Sequence, residues 1–229
     1  MNSKKRNSSG LIIIVPFLIL FVFCIFYYFL VESAQKYCPY YNDDCDTSSV
    51  DYAISRYEKA QSLYQEPYVF ETTGLLYYQL KEYDYAYENI EKAIEYIDKY
   101  PLYEKIKSIT SAGLFEPTDW KVKQILLFHT LGDISTKQGN YKQCVLDYTD
   151  MYEVAIENDR DTLEKDKRAF CYYKLGQYKQ AYSDYLDEKK WLEHKIKTIS
   201  DNKLKKALSN RLGKIEQMLT HLSYMHGVN

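Results

Sequence analysis

Lys174-Leu175-Gly176-Gln177-Tyr178-Lys179-Gln180-Ala181-Tyr182-Ser183-Asp184-Tyr185 decides the fold, because it recurs. Leu80-Lys81-Glu82-Tyr83-Asp84-Tyr85-Ala86 and Gln138-Gly139-Asn140-Tyr141-Lys142-Gln143-Cys144 are looser copies. Each sets a short polar or Gly turn before a Tyr, with a small residue three places later. Such a turn reverses a helical hairpin and lets its second helix pack closely. Hairpins in series make a binding scaffold, because each has a face that it cannot bury alone.

Working outward, the spacing predicts further helices. Ala53, Tyr57 and Ala60 lie on one helical face that Ser48 or Ser49 can cap and Pro67 ends. Helices are predicted over residues 68–80 and 83–100, the second with Ala86, Ile90 and Ala93 inside and Pro101 as its stop. Residues 102–112 suit a short helix. Gly113 and Pro117 bracket a loop, and Thr118 or Asp119 can cap a helix over 120–138. Its partner from Tyr141 turns Cys144, Tyr148 and Met151 inward, and a further pair covers 162–175 and 178–197. Over 200–224, Leu204, Leu208, Leu212, Ile215, Leu219 and Leu222 form an apolar stripe ending at Gly227. No strand-like alternation persists, so an all-α domain of about eight helices is expected.

Composition agrees. With 46% hydrophobic residues and 26 Tyr against 8 Gly and 5 Pro, the 229-residue chain suits helices packed through large, half-polar rings. A net charge of −2 gives no overall basic excess for nucleic acid.

Leu11 to Val31 holds no charged residue, and about 20 helical residues cross a bilayer core. Pro16 is tolerated in lipid. Lys4, Lys5 and Arg6 precede the run, while Asp43, Asp44 and Asp46 follow it. Positive residues stay inside, so the N-terminus is expected in the cytoplasm and the folded part outside. The competing reading is a cleaved signal peptide, but the run is longer than usual and Val31-Glu32-Ser33-Ala34 is a poor cleavage site. A permanent anchor is therefore expected. Cys38 and Cys45 either close a small loop in an oxidising space or remain two thiols in a stem. No Asn-x-Ser/Thr site follows the apolar run, which favours a bacterial periplasm over a eukaryotic lumen. The expected order is a cytoplasmic tail (1–10), a transmembrane anchor (11–31), a stem (32–49), repeats (50–199), and a capping helix with tail (200–229).

The repeats resemble the tetratricopeptide repeat family, whose unit of about 34 residues carries Leu-Gly-x-x-Tyr, Ala and Pro positions. Units fall at about 67–101 (Gly74, Tyr77, Tyr83, Ala86, Ile90, Ala93, Pro101), 125–158 (Leu131-Gly132, Gly139, Tyr141, Cys144, Tyr148) and 162–195 (Ala169, Tyr172, Gly176, Tyr178, Ala181, Tyr185). The helix of Ala53, Tyr57 and Ala60 looks like the second half of a unit lacking its first. Tyr83, Tyr141 and Tyr178 are 58 and 37 residues apart, so the array is interrupted. Cys144 stands where Ala is usual, and Glu188 where a small residue is usual.

The resemblance implies a concave face built from first helices. Its candidates are Tyr78 and Gln79, then His129, Asp133 and Lys137, then Asp166, Phe170, Tyr173 and Lys174. That aromatic and charged mixture suits a protein or peptide partner. Members that clamp terminal carboxylates use Lys and Asn where this chain has Glu71, Leu75, His129, Asp133, Asp166 and Phe170, so that activity is not expected.

No nucleophile elbow, phosphate loop or metal spacing occurs, and His129, His194, His221 and His226 are scattered. Cys144 and Cys171 read as small apolar core residues. A non-enzymatic module without cofactor or metal is expected. Facing the periplasm from the inner membrane, it would hold a partner protein for envelope assembly or quality control. The alternative is an immunity protein that neutralises a toxin delivered into the periplasm. A third reading is a structural subunit that oligomerises through 200–224.

Overall fold

The computed structural model describes residues 9–38, 45–99, 120–158 and 164–228, excluding the side chains of 9–18, 20, 98, 99 and 120. Among the described residues the protein is all-α, with nine helices and no strand. It divides into two compact units, 1–99 and 100–229. The first holds α1 (Ser9–Tyr37), α2 (Thr47–Leu63), α3 (Pro67–Gln79) and α4 (Tyr83–Lys99). The second holds α5 (Trp120–Gln138), α6 (Tyr141–Glu157), α7 (Lys165–Lys174), α8 (Tyr178–Thr198) and α9 (Asn202–His226). Neighbours in sequence pack as hairpins, α1/α2 and α3/α4 in one unit, α5/α6 and α7/α8 in the other, with α9 against α8. The expected short helix at 102–112, the caps Thr118 and Asp119, the stop Pro101 and the charges of 1–8 and 43–44 lie outside the described residues.

The three turns of the recurring motif share one backbone solution. Lys81, Gly139 and Gly176 are left-handed, with φ of 64°, 73° and 73°. The next residue's N–H reaches back across the turn in each case: Glu82 to Tyr77 (3.0 Å), Asn140 to Ser135 (2.9 Å) and Gln177 to Tyr172 (2.9 Å). These bonds satisfy carbonyls that the ending helix leaves open. Glycine enters this conformation without steric cost, whereas Lys81 does not.

Above each turn the same knob meets the same hole. A Cβ added to Gly132 would lie 2.6–2.8 Å from the Tyr148 ring, and one at Gly74 would lie 2.8 Å from the Ile90 side chain. Ala169 and Tyr185 stand at the corresponding places of α7 and α8, both buried. The small first-helix residue thus admits a bulky residue from the second helix, which keeps the axes close. Along the second helices the inward ladder reads Ala53-Tyr57-Ala60, Ala86-Ile90-Ala93, Cys144-Tyr148-Met151 and Ala181-Tyr185-Glu188, all buried.

The partner missing for α2 is the end of α1. Leu30, Ala34 and Cys38, spaced by four, are fully buried in one cluster with Val50, Ala53, Ile54 and Tyr57. The Tyr27 hydroxyl donates to Glu66 at 2.5 Å. Helix α1 therefore continues beyond the expected end of the apolar run at Val31, and 32–37 are helical, with Ala34 packed in the cluster. A disulfide between Cys38 and Cys45 closes this hairpin, with Cα atoms 5.7 Å apart. Asp46, rather than Ser48 or Ser49, caps α2, accepting from the Ser49 N–H at 2.9 Å and from both serine hydroxyls. Those bonds hold its carboxyl down at about 2.

No helix among the described residues is long and apolar enough to cross a membrane. The side chains of 11–18 and of Leu20, within the run expected to span, lie outside that description.

A second disulfide corrects the expectation for Cys144 and Cys171. Both are fully buried, but they are bonded to each other, with Cα atoms 6.2 Å apart. The bond ties α6 of one hairpin to α7 of the next. Nearby, Arg168 of α7 donates to both Asp184 oxygens at 2.8 and 2.9 Å and stacks over Tyr152 of α6, 4.7 Å from the ring centroid. Burial of that junction is therefore covalent, ionic and aromatic together.

Helix α9 buries Ile215, Leu219 and Leu222 on α8 and ends at left-handed Gly227. Asp201 caps its start, accepting from Lys203 and Leu204 N–H at 2.8 and 3.0 Å. Its first turn has no acidic residue but contains Lys203 and Lys205. Each cation there opposes the helix dipole at a cost of about 0.3–1 kcal/mol.

Candidate functional site

In the second unit, first helices α5 and α7 and the final helix α9 enclose a groove of about 440 Å³. Asp133, Thr136 and Lys137 come from α5, and Asp166, Lys167 and Phe170 from α7. The opposite wall is Arg211, Lys214, Ile215 and Met218 of α9, while Tyr148 and Tyr185 rise between the helices. The hairpin repeat explains this placement. Each turn brings a first helix back to the same side, and the Tyr knobs reach through the small-residue holes toward it.

Two ion-pair systems stiffen the groove. Lys167 Nζ donates to Asp133 Oδ1 and Oδ2 at 2.8 and 3.0 Å, and the Tyr148 hydroxyl donates to Asp133 Oδ1 at 2.7 Å. Burial first, and then the Asp133 carboxylate, push the Tyr148 phenol far above its ordinary value. It therefore stays a neutral donor at any ordinary pH. His129 Nε2 is 2.7 Å from Glu164 Oε2 and 2.8 Å from Lys167 Nζ. One nitrogen cannot donate to the acid and accept from the lysine. The bond to His129 holds the Glu164 carboxyl below its ordinary value. Lys167 is already satisfied by Asp133.

The second system spans three helices. Arg211 Nη2 contacts Asp166 Oδ1 at 2.5 Å and Glu188 Oε1 at 2.9 Å. Glu188, fully buried on α8, also accepts the Lys165 N–H at 3.0 Å through Oε2. It thereby caps α7, whose own N-cap residue Glu164 makes no side-chain capping bond. The departure from a small residue at 188 thus has a structural purpose. Burial raises the Glu188 carboxyl to about 7, with Arg211 opposing the rise.

Lys137 and Lys214 differ from these groups. Both are exposed on the groove's margin and make no ion pair among the described residues. The site therefore offers an apolar floor of Phe170, Ile215 and Met218, internally paired charges and two uncommitted cations.

Of the nine expected concave-face residues, Asp133, Lys137, Asp166 and Phe170 line this groove. His129 sits behind Asp133 in the ion-pair system, with its Nδ1 3.6 Å from Asp133 Oδ2. Lys174 holds its Nζ 5.2 Å over Phe170, and Tyr173 packs on Tyr178, His221 and His226 instead. Tyr78 and Gln79 belong to the first unit, where Tyr78 lies 5.8 Å from Tyr83 and Gln79 is exposed. The α9 wall was absent from the expectation. Its signal was the interval Arg211, Lys214, Met218, a polar-to-thioether face beside the apolar stripe that docks the helix.

Among the described residues, no group of three or more His, Cys, Asp or Glu is arranged to hold a metal ion. No family model matches the chain, and no curated protein sequence matches it.

Proposed function

We propose that the chain is a non-enzymatic, tetratricopeptide-like binding module, held at a membrane outside the cytoplasm, that grips a segment of a partner protein in the second unit's groove. The observation that carries this reading is the groove itself. Three helices converge on an apolar floor, and of its charged groups Asp133 with Lys167 and Asp166 with Arg211 are committed to one another. The holding of a partner for envelope assembly or quality control in a bacterial periplasm follows the same proposal.

Two features support the anchored, extracytoplasmic part. Ile19, Phe21, Val22, Phe23, Ile25, Phe26 and Phe29 are all more than half exposed on α1, an apolar surface that needs a non-aqueous cover. The four cysteines after this run are paired, while Cys24 within it is free. Paired thiols downstream and an unpaired one inside the apolar helix fit an oxidising space beyond a bilayer.

The test is purification of the full chain from native detergent extracts, with and without Phe170→Asp and Met218→Asp. A stoichiometric protein partner that is lost from the double variant is expected. No partner from the unaltered chain would overturn the reading, and recovery of a secreted toxin would convert it to the inhibitor form.

A further inference from the structure

The end of the α8/α9 hairpin carries a charge that the fold does not use. From Lys189 to Lys214 the sequence has nine Lys or Arg and only two acids, Glu193 and Asp201; Lys189, Lys190 and Arg211 pair with acids outside that stretch. Lys197, Lys203, Lys205 and Lys206 are exposed and make no ion pair among the described residues. Three of them crowd the start of α9, where the helix's own dipole repels cations. Local energetics therefore oppose the arrangement, which is the mark of a surface kept for an external anion. Apolar groups are interleaved with the charges. Leu204 is 45% exposed, and Ile196 and Ile199 are half-buried.

Residue type selects the partner. Eight of the nine cations are Lys and one is Arg. Lys is depleted in protein interfaces, whereas Arg is enriched there and supplies the fork used on bases and phosphates of nucleic acid. A cluster of mobile point charges with aliphatic side chains between them suits diffuse negative charge above a hydrocarbon boundary. We propose that the α8/α9 tip docks on an anionic phospholipid surface, its lysines among headgroup phosphates and Ile199 and Leu204 at the acyl boundary. The inference stands on the tip alone and requires neither the groove nor an anchoring role for α1.

Trp191 of α8 is the natural reporter, stacked by Lys195 at 5.5 Å. In the full chain with Trp120→Phe it is the sole tryptophan, and its quenching by brominated lipid reads contact directly. Vesicles of brominated phosphatidylcholine alone control for insertion of α1. Strong quenching is expected only when phosphatidylglycerol is included, and it should be relieved near 1 M salt, where screening acts within about 3 Å. Each lysine contributes about a five-fold preference, so K203Q/K205Q/K206Q should lower the docked-to-undocked ratio roughly 100-fold. The matching Lys→Arg triple variant should retain quenching. Equal quenching in neutral vesicles, or an unchanged Gln variant, overturns the proposal. Absence of quenching together with an acidic protein that co-purifies only with unaltered lysines overturns it in favour of a protein partner.

Discussion

The first hairpin and the last two solve one packing problem with different closures. In α1/α2, as in α5/α6 and α7/α8, the second helix sends a buried Tyr inward: Tyr57, Tyr148 and Tyr185. The later hairpins close through left-handed glycines, while the first closes through Cys38–Cys45. The later pair then spends its disulfide elsewhere, on the junction between hairpins. Covalent closure is thus applied at the first hairpin and at the junction of the last two, while α3/α4 turns on Lys81 without it.

Reduction should separate the two uses most strongly. Chain-entropy arguments give about 3.5 kcal/mol for the 27-residue separation of Cys144–Cys171 and about 2.4 kcal/mol for the 7-residue separation of Cys38–Cys45. Urea unfolding of C144S/C171S should therefore show a larger loss than C38S/C45S. Equal losses would mean that the buried bond does not tie the hairpins.

Next in size is the knob-and-hole contact. Gly132→Ala should cost about 1–3 kcal/mol, because the Tyr148 ring it meets is fixed at its far end by Asp133. Gly74→Ala should cost less, since no hydrogen bond holds the far end of the aliphatic Ile90 side chain that it meets. Thermal unfolding of the two variants decides whether anchoring of the knob sets the penalty.

The turns themselves give the third prediction. Lys81→Gly should stabilise by about 1 kcal/mol, and Gly176→Ala should destabilise by a similar amount, since only the backbone conformation is at stake. The Cβ added at Gly176 meets nothing within 4 Å and Lys81 is exposed, so packing does not confuse the comparison. Chemical denaturation midpoints at unchanged slope would check it.

The last prediction is a slope with pH. Glu188 is raised by burial from 4.5 to about 7 in the folded chain, so between these values the native state binds more protons than the unfolded one. Its contribution is fully present below about 4.5 and is lost as pH rises through about 7. Arg211 and Asp166 face the same carboxyl. Glu188→Gln should flatten the dependence of melting temperature on pH in that window, while an unchanged slope would assign it to other groups.

Much of this was legible along the chain. The Gly-x-Tyr-x-x-Ala pattern located three hairpins, and Gly227 marked the final helix end. What escaped did so for physical reasons. The stripe Leu30, Ala34, Cys38 crosses from the apolar run into Glu32, Ser33, Gln35 and Lys36, where two small residues at a period of four make a weak apolar signal. Cys144 fills a slot that Ala normally fills, so its bond to a residue 27 positions away has no local signal. Asp46, Ser48 and Ser49 are all good caps, and only the backbone chooses among them. The groove was half legible because first-helix faces follow from the turn, whereas the α9 wall depends on how the last helix docks. A net charge near zero likewise hid the basic tip, because acids elsewhere cancel it in the sum.

One feature of α1 has a mechanical meaning. The helix runs unbroken from its apolar residues into the first hairpin, with no tether between them. Its continuity fixes the angle between the two ends, and each residue of phase is worth about 100°. Inserting a single alanine after Phe29 would turn the exposed apolar residues by that angle against Leu30, Ala34 and Cys38. Inserting seven would bring the two nearly back into phase. The exposed apolar residues of α1 and the first hairpin therefore keep one fixed azimuth to each other.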